Sequence, residues 1–131
     1  MAPQLHLTEI GRVALPSPDI DKAIEFYVDT LGFEKRMDET FADGQMRWVE
    51  VVPPGSSTAI ALAPPPPGRD FTPGHTGIII STDDIDADHA ALKEAGVDVD
   101  DEIARNEPPV PPMFDLRDPN GHQLMIVQPL E

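Results

Sequence analysis

The sequence lacks cysteine throughout its 131 residues, which excludes disulfides, cysteine nucleophiles and thiolate metal ligands. It also lacks an apolar run long enough to cross a bilayer. The first ten residues contain neither the basic nor the apolar segment of a secretory signal. We therefore expect a cytoplasmic protein that does not bind membranes.

Basic residues are scarce, with 9 Lys and Arg against 24 Asp and Glu, for a net charge of -15. Nucleic-acid binding requires clustered Lys and Arg, so we expect no nucleic-acid partner. The sequence also lacks a nucleophile elbow and a glycine-rich phosphate loop. It therefore identifies no catalytic residue, and whether the protein is an enzyme stays open.

What the sequence does contain is a repeated strand–helix unit, at Gly11–Phe33 and again at Gly77–Val99. In the first copy, apolar residues recur every three or four positions from Ile20 to Leu31, which predicts an amphipathic helix. The pattern predicts helices at 18–31, capped by Ser17, and at 83–95, capped by Thr82. A glycine follows each helix.

Alternating apolar residues between turn signals predict four strands in each half. The predicted strands cover 9–15, 33–41, 45–52, 58–63, 75–81, 97–103, 113–117 and 122–127. The order is therefore β-α-β-β-β twice. We expect one domain over 1–131, with a first module at 9–63, a proline-rich linker at 64–74 and a second module at 75–129.

The same residues carry a family resemblance over roughly 10–128. The matching stretches are Arg12–Leu15, Pro18–Ala23, Phe26-Tyr27, Leu31–Phe33, Asp83–Asp86, Leu92, Ala95–Val97 and Asp118–Gly121. In these stretches the chain resembles the vicinal oxygen chelate superfamily, which includes glyoxalase I, bleomycin-resistance proteins and extradiol dioxygenases. The resemblance implies an α+β fold in which two βαβββ modules form a cup-shaped, mostly antiparallel eight-stranded sheet with helices outside. It also implies a homodimer.

The resemblance places the superfamily's usual metal ligands at Arg12, Ala61, Gly77 and Met125. None of these side chains supplies the imidazole nitrogen or carboxylate oxygen that a divalent ion requires. We therefore expect no metal and no other cofactor. The alternative is a metal-dependent lyase, isomerase or dioxygenase whose metal ligands have moved to His75, Glu50 and Asp115.

Side chains alternate between the faces of a strand, so a cup-facing Arg12 implies that Ala61, Gly77 and Met125 face the cup too. Trp48 shares this face with Glu50 in our prediction. We add Met113 and Asp115 to complete a predicted binding site for a small molecule.

Arg12 has two interpretations, contact with a ligand or an internal salt bridge to Glu50 or Asp115. The second interpretation leads to a third function class, beside the metal-independent binding protein and the metal-dependent enzyme. This third class is a non-catalytic interaction domain with a degenerate cup.

Overall fold

Two strand–helix–three-strand units build the chain in the computed structural model, which describes residues 3–44, 46–65, 73–105 and 107–130. Residues 3–11 precede the first strand without regular secondary structure. Most of the predicted linker lies outside the described residues.

Each unit contributes one helix and four strands. The first module contains β1 (Arg12–Pro16), α1 (Ile20–Ile24) continuing into a π-helical turn (Glu25–Thr30), β2 (Glu34–Phe41), β3 (Met46–Val52) and β4 (Ala59–Ala63). The second contains β5 (His75–Ser81), α2 (Ile85–Glu94), β6 (Asp98–Val99), β7 (Met113–Arg117) and β8 (Gln123–Val127). No described helix has the length and apolar character needed to span a membrane.

The strands form two four-stranded sheets with orders β1-β4-β3-β2 and β5-β8-β7-β6. In each sheet the first strand of the module pairs in parallel with the last, and the other pairs are antiparallel. The α+β fold of two βαβββ modules is confirmed. Among the described residues no strand pairing joins the two sheets, so the eight strands are divided between them rather than continuous in one.

One apolar core lies between the modules and includes side chains from both sheets and both helices. Its members are Leu15, Ala23, Phe26, Tyr27, Phe33, Val49, Val51, Ile60, Leu62, Ile85, Phe114, Leu116, Leu124 and Ile126. Because strand side chains alternate, each sheet turns its other side away from this core. We call these sides the first and second outer faces, for the sheets of the first and second module.

The predicted helix caps are wrong by two residues in both modules. Asp19 and Asp84 are the caps, and each carboxylate accepts a hydrogen bond of 3.1 Å from the main-chain N–H three residues on. Ser17 instead donates to the Leu15 carbonyl oxygen, while Thr82 accepts from the N–H of Asp84. An aspartate cap adds favourable charge at the positive end of the helix dipole.

Two strands also differ from prediction. The first begins at Arg12 rather than residue 9, and β6 is limited to Asp98–Val99 rather than 97–103. Strand β6 is an edge strand, and the acidic residues that follow it turn toward other groups: Asp100 accepts from the main chain of Asp115 and from Arg117. The remaining described strands agree with prediction to within one residue.

Polar contacts hold the modules together beside the core. The π-helical turn contains buried Tyr27, whose hydroxyl donates to Asp118 of the second module at 2.8 Å. Burial, followed by the adjacent Asp118 carboxylate, raises the pKa of Tyr27 well above its ordinary value. His122 Nε2 lies 2.6 Å from the Pro16 carbonyl oxygen, which adds a second link between the modules.

Candidate functional site

The strand registers determine which predicted site residues share a face. In the first sheet, Ala14, Ala61 and Glu50 lie side by side on neighbouring strands. In the second sheet, Ile79, Met125 and Asp115 do the same. These rows lie on the outer faces, because the intervening residues of each strand belong to the core.

A charged cluster occupies the first outer face, centred on the Glu50 carboxylate, whose side chain is only 3% exposed. Arg36 donates from Nε and Nη2 to Glu50 Oε1, at 3.0 and 2.5 Å. Trp48 Nε1 donates to Oε2 at 2.8 Å. Arg12 Nε forms an ion pair with the same oxygen at 2.8 Å. We call these four residues the Glu50 cluster.

This arrangement settles the partner of Arg12, which is Glu50 and not Asp115. Burial alone would raise the pKa of Glu50. The hydrogen bonds from Trp48 and Arg36, together with the two guanidinium charges, outweigh burial and hold the pKa of Glu50 below its ordinary value. The carboxylate is therefore ionised at neutral pH.

Arg36 is a member of the cluster that strand alternation does not predict. Between Lys35 and Met37, strand β2 advances two residues while β3 advances only one, from Val51 to Glu50. This bulge turns Arg36 toward Glu50, and its remaining Nη1 donates to the Ser57 carbonyl oxygen at 3.0 Å. A single sequence contains no reliable signal for such a bulge.

The second outer face carries a neutral-to-acidic row of polar side chains. Gln123 Nε2 donates to Asp115 Oδ2 at 2.6 Å and lies 3.3 Å from His75 Nε2. Half-buried Met113 and Met125 lie on the same face. Gly77, in the irregular stretch of β5 between His75 and Ile79, is exposed and has a φ of +78°, a backbone conformation that favours glycine.

The predicted site residues therefore fall into two groups. Arg12, Trp48, Glu50 and Ala61 lie on the first outer face and Met113, Asp115 and Met125 on the second, while Gly77 lies in the irregular stretch of β5 between His75 and Ile79. Within the described part of the chain, no hydrogen bond or ion pair joins the two groups. Ala61 has no exposed surface, so in a single chain its side chain is not accessible to a ligand.

Of the four positions expected to hold metal ligands, Arg12, Ala61 and Met125 lie on the outer faces. The four positions carry a guanidinium, two groups without donor atoms and a thioether. The described residues contain no group of three or more His, Asp or Glu side chains placed to hold a metal ion. His75 and Asp115 are connected through Gln123, whereas Glu50 is on the other module between two arginines.

Comparison with known proteins agrees with this architecture. A sequence model of the Glyoxalase/Bleomycin resistance protein/Dioxygenase superfamily matches residues 9–126. The chain belongs to this superfamily. A superfamily member from Sphaerobacter thermophilus DSM 20745 is 36% identical in sequence and has a similar structure, with a TM-score of 0.84 over 95% of this chain and 99% of that one.

Two further relatives have different descriptions. TnmS3, an antibiotic binding protein from Streptomyces sp. CB03234, is 31% identical and superposes with a TM-score of 0.82, covering 97% of this chain and 100% of its own. An uncharacterized protein from Shewanella frigidimarina is 36% identical over 95 residues, which are 67% of this chain and 70% of the relative. The superfamily resemblance expected from the sequence is confirmed.

Replacement of Glu50 by Gln should lower the free energy of unfolding by about 1–3 kcal/mol at pH 7, because two guanidinium groups lose their buried counter-charge. The folded-state pKa of Glu50 is lowered, so its stabilisation is present above the ordinary pKa of 4.5 and is lost as pH falls through the lowered value. The difference between Glu50→Gln and the wild type should therefore shrink as the pH falls below 4.5.

Urea unfolding between pH 3 and pH 8 measures this difference, with exposed Glu39→Gln on the neighbouring strand as the control. The control should change the free energy of unfolding by less than about 0.5 kcal/mol. A Glu50→Gln effect of constant size across the pH range contradicts the assignment.

Proposed function

We propose that this superfamily member binds an organic small molecule at its outer faces without using a metal ion. The observation that carries this proposal is the chemistry of the four central positions, where Arg12, Ala61, Gly77 and Met125 replace the expected ligands. A guanidinium in such a position repels a cation, and no neighbouring group compensates by supplying a complete donor set among the described residues.

The similarity to TnmS3 supports a binding role rather than a catalytic one. That protein is described as antibiotic binding, and the likeness extends along its whole length. By this likeness, we infer that the ligand is an organic compound of antibiotic-like size. Among the described residues of the two outer faces, the carboxylates of Glu50 and Asp115 are already hydrogen-bonded, to Trp48 and Gln123.

A pocket of about 260 Å³ beside Trp48 offers a place for an apolar ligand. Its other lining residues are Ala14, Leu15, Pro16, Met46, Ala63 and Pro64. Small and apolar walls next to an aromatic ring suit a flat or compact hydrophobic group.

We also propose that a second copy of the chain completes the site. The first outer face exposes Phe41 by 50% and Met37 by 41%, and the second exposes Ile79 by 60%. Facing one chain's first outer face with its partner's second outer face would cover these side chains and form a cup between them. The two groups of predicted site residues would then face each other.

A metal-dependent enzyme is the second candidate, supported by the connected pair His75 and Asp115 on the second outer face. It needs a third ligand, and the predicted one is Glu50. That carboxylate already receives two arginines and Trp48, which satisfy its oxygens and oppose a cation. A non-catalytic interaction domain is the third candidate, and it would require that the pocket beside Trp48 bind nothing.

Filling the pocket should block binding. Calorimetric titration with tetracycline and daunorubicin, two polycyclic antibiotics, should give saturable binding to the wild-type protein. Ala63→Trp should weaken it at least about tenfold, or about 1.4 kcal/mol, because the new ring occupies the pocket.

The matched control is Ala90→Trp on the exposed side of helix α2, which should bind like the wild type. Failure of both antibiotics to bind, or equal binding by Ala63→Trp, contradicts the proposed function at this pocket.

Sedimentation equilibrium should give twice the mass of one chain for the wild type. Ile79→Asp should shift the equilibrium toward single chains, because it places a charge on a surface that the dimer buries. Ala90→Asp, which adds the same charge to exposed helix α2, should leave the dimer intact. A wild-type protein with the mass of one chain at all concentrations would contradict the proposed assembly.

A further inference from the structure

We propose that Arg12 binds an anionic group of the ligand, and that the ligand class is apolar or aromatic compounds bearing a carboxylate or a comparable acidic oxygen. This inference rests on the proposed function and adds the chemistry that the site recognises. In this proposal Arg12 contacts the ligand directly, and Glu50 positions Arg12 through the ion pair at Nε.

The first step is that Arg12 has hydrogen-bond donors that the described residues do not use. Its Nε is paired with Glu50, and none of the described residues accepts a hydrogen bond from its two terminal nitrogens. The side chain is 52% exposed on the first outer face. A guanidinium held at Nε presents its terminal nitrogens as a fork, and this fork matches the two oxygens of a carboxylate.

The second step is that Glu50 does not require Arg12 in order to be satisfied. Arg36 already supplies two hydrogen bonds to one carboxylate oxygen, and Trp48 supplies one to the other. Each of the three nitrogens of Arg36 already has an acceptor, because Nε and Nη2 bind Glu50 and Nη1 binds the Ser57 carbonyl oxygen. Arg12 is thus the arginine of the cluster whose two terminal nitrogens both lack an acceptor among the described residues.

The third step is charge. Arg12 and Arg36 bring two positive charges and Glu50 one negative charge, so the Glu50 cluster has a net positive charge. The chain as a whole has a net charge of -15, so the cluster is a cationic site in an acidic protein. An acidic surface disfavours the approach of anions in general, so binding one here requires specific contacts at Arg12.

The fourth step is the apolar surface beside the cation. Trp48 connects the two, because its N–H binds Glu50 while its ring lines the pocket with Met46 and Ala63. A ligand can therefore place an acidic group on Arg12 and an apolar body against Trp48. The volume of about 260 Å³ accommodates a compound of one or two rings, or one end of a larger compound.

Matched acid and amide probes test this assignment. The pairs are 2-naphthoate with 2-naphthamide, and indole-3-acetate with indole-3-acetamide, which differ in charge but little in shape. Calorimetric titration at pH 7 and low salt should show each acid binding at least about tenfold more tightly than its amide, or about 1.4 kcal/mol. The preference should decrease with added salt because ions screen a partly exposed contact.

Arg12→Gln should abolish the preference for the acid while leaving amide binding unchanged. Arg12→Lys should retain part of it, since the charge remains but the fork is lost. The control is Arg105→Gln, which removes the same charge from a side chain that is 55% exposed, on the second module. It should bind both probes like the wild type.

Equal binding of acid and amide by the wild type, or a preference that survives in Arg12→Gln, overturns the ligand class and leaves the proposed function standing. If neither probe of either pair binds while the polycyclic antibiotics do, the ligand class is likewise wrong. If the antibiotics do not bind either, both the ligand class and the proposed function are wrong.

Discussion

A buried carboxylate must be paired, and pairing Glu50 determines the character of the whole candidate site. Its side chain is almost inaccessible, yet two arginines and the Trp48 indole give it a complete set of partners. These partners occupy the centre of the first outer face, at the position where the family resemblance implied metal ligands. The requirement to satisfy Glu50 therefore fixes the orientation of Arg12 and Trp48 and places a cationic group beside an aromatic one on this face.

The two outer faces are chemically unequal although the modules repeat one fold. The first combines guanidinium groups with an apolar pocket, and the second combines two methionines with the row formed by Gln123 and Asp115. Under the proposed function, a ligand held between the first outer face of one chain and the second outer face of its partner would have one preferred orientation, because its acidic and apolar parts would contact different side chains. Methionine adds adaptability, since its unbranched side chain can repack around different shapes.

The repeated pattern of the sequence predicts most of the fold, because helix and strand periodicity depends on local side-chain spacing. Strand alternation likewise predicts that Arg12, Trp48 and Glu50 share a face. It does not predict Arg36, since the bulge at that position depends on pairing between strands. The caps at Asp19 and Asp84 and the π-helical turn depend on hydrogen bonds and packing that a single sequence does not reveal. The ligand roles of the site residues, the absence of a cofactor and the cytoplasmic location stay predictions.

The central claim is that this superfamily member binds without a metal, and metal retention tests it most directly. Purified protein is incubated with Zn²⁺, Ni²⁺, Mn²⁺ and Fe²⁺, dialysed, and assayed by plasma mass spectrometry beside His75→Ala and Asp115→Asn. Our account predicts retention well below one equivalent per chain in all three proteins. One equivalent retained by the wild type and lost in both variants would contradict it.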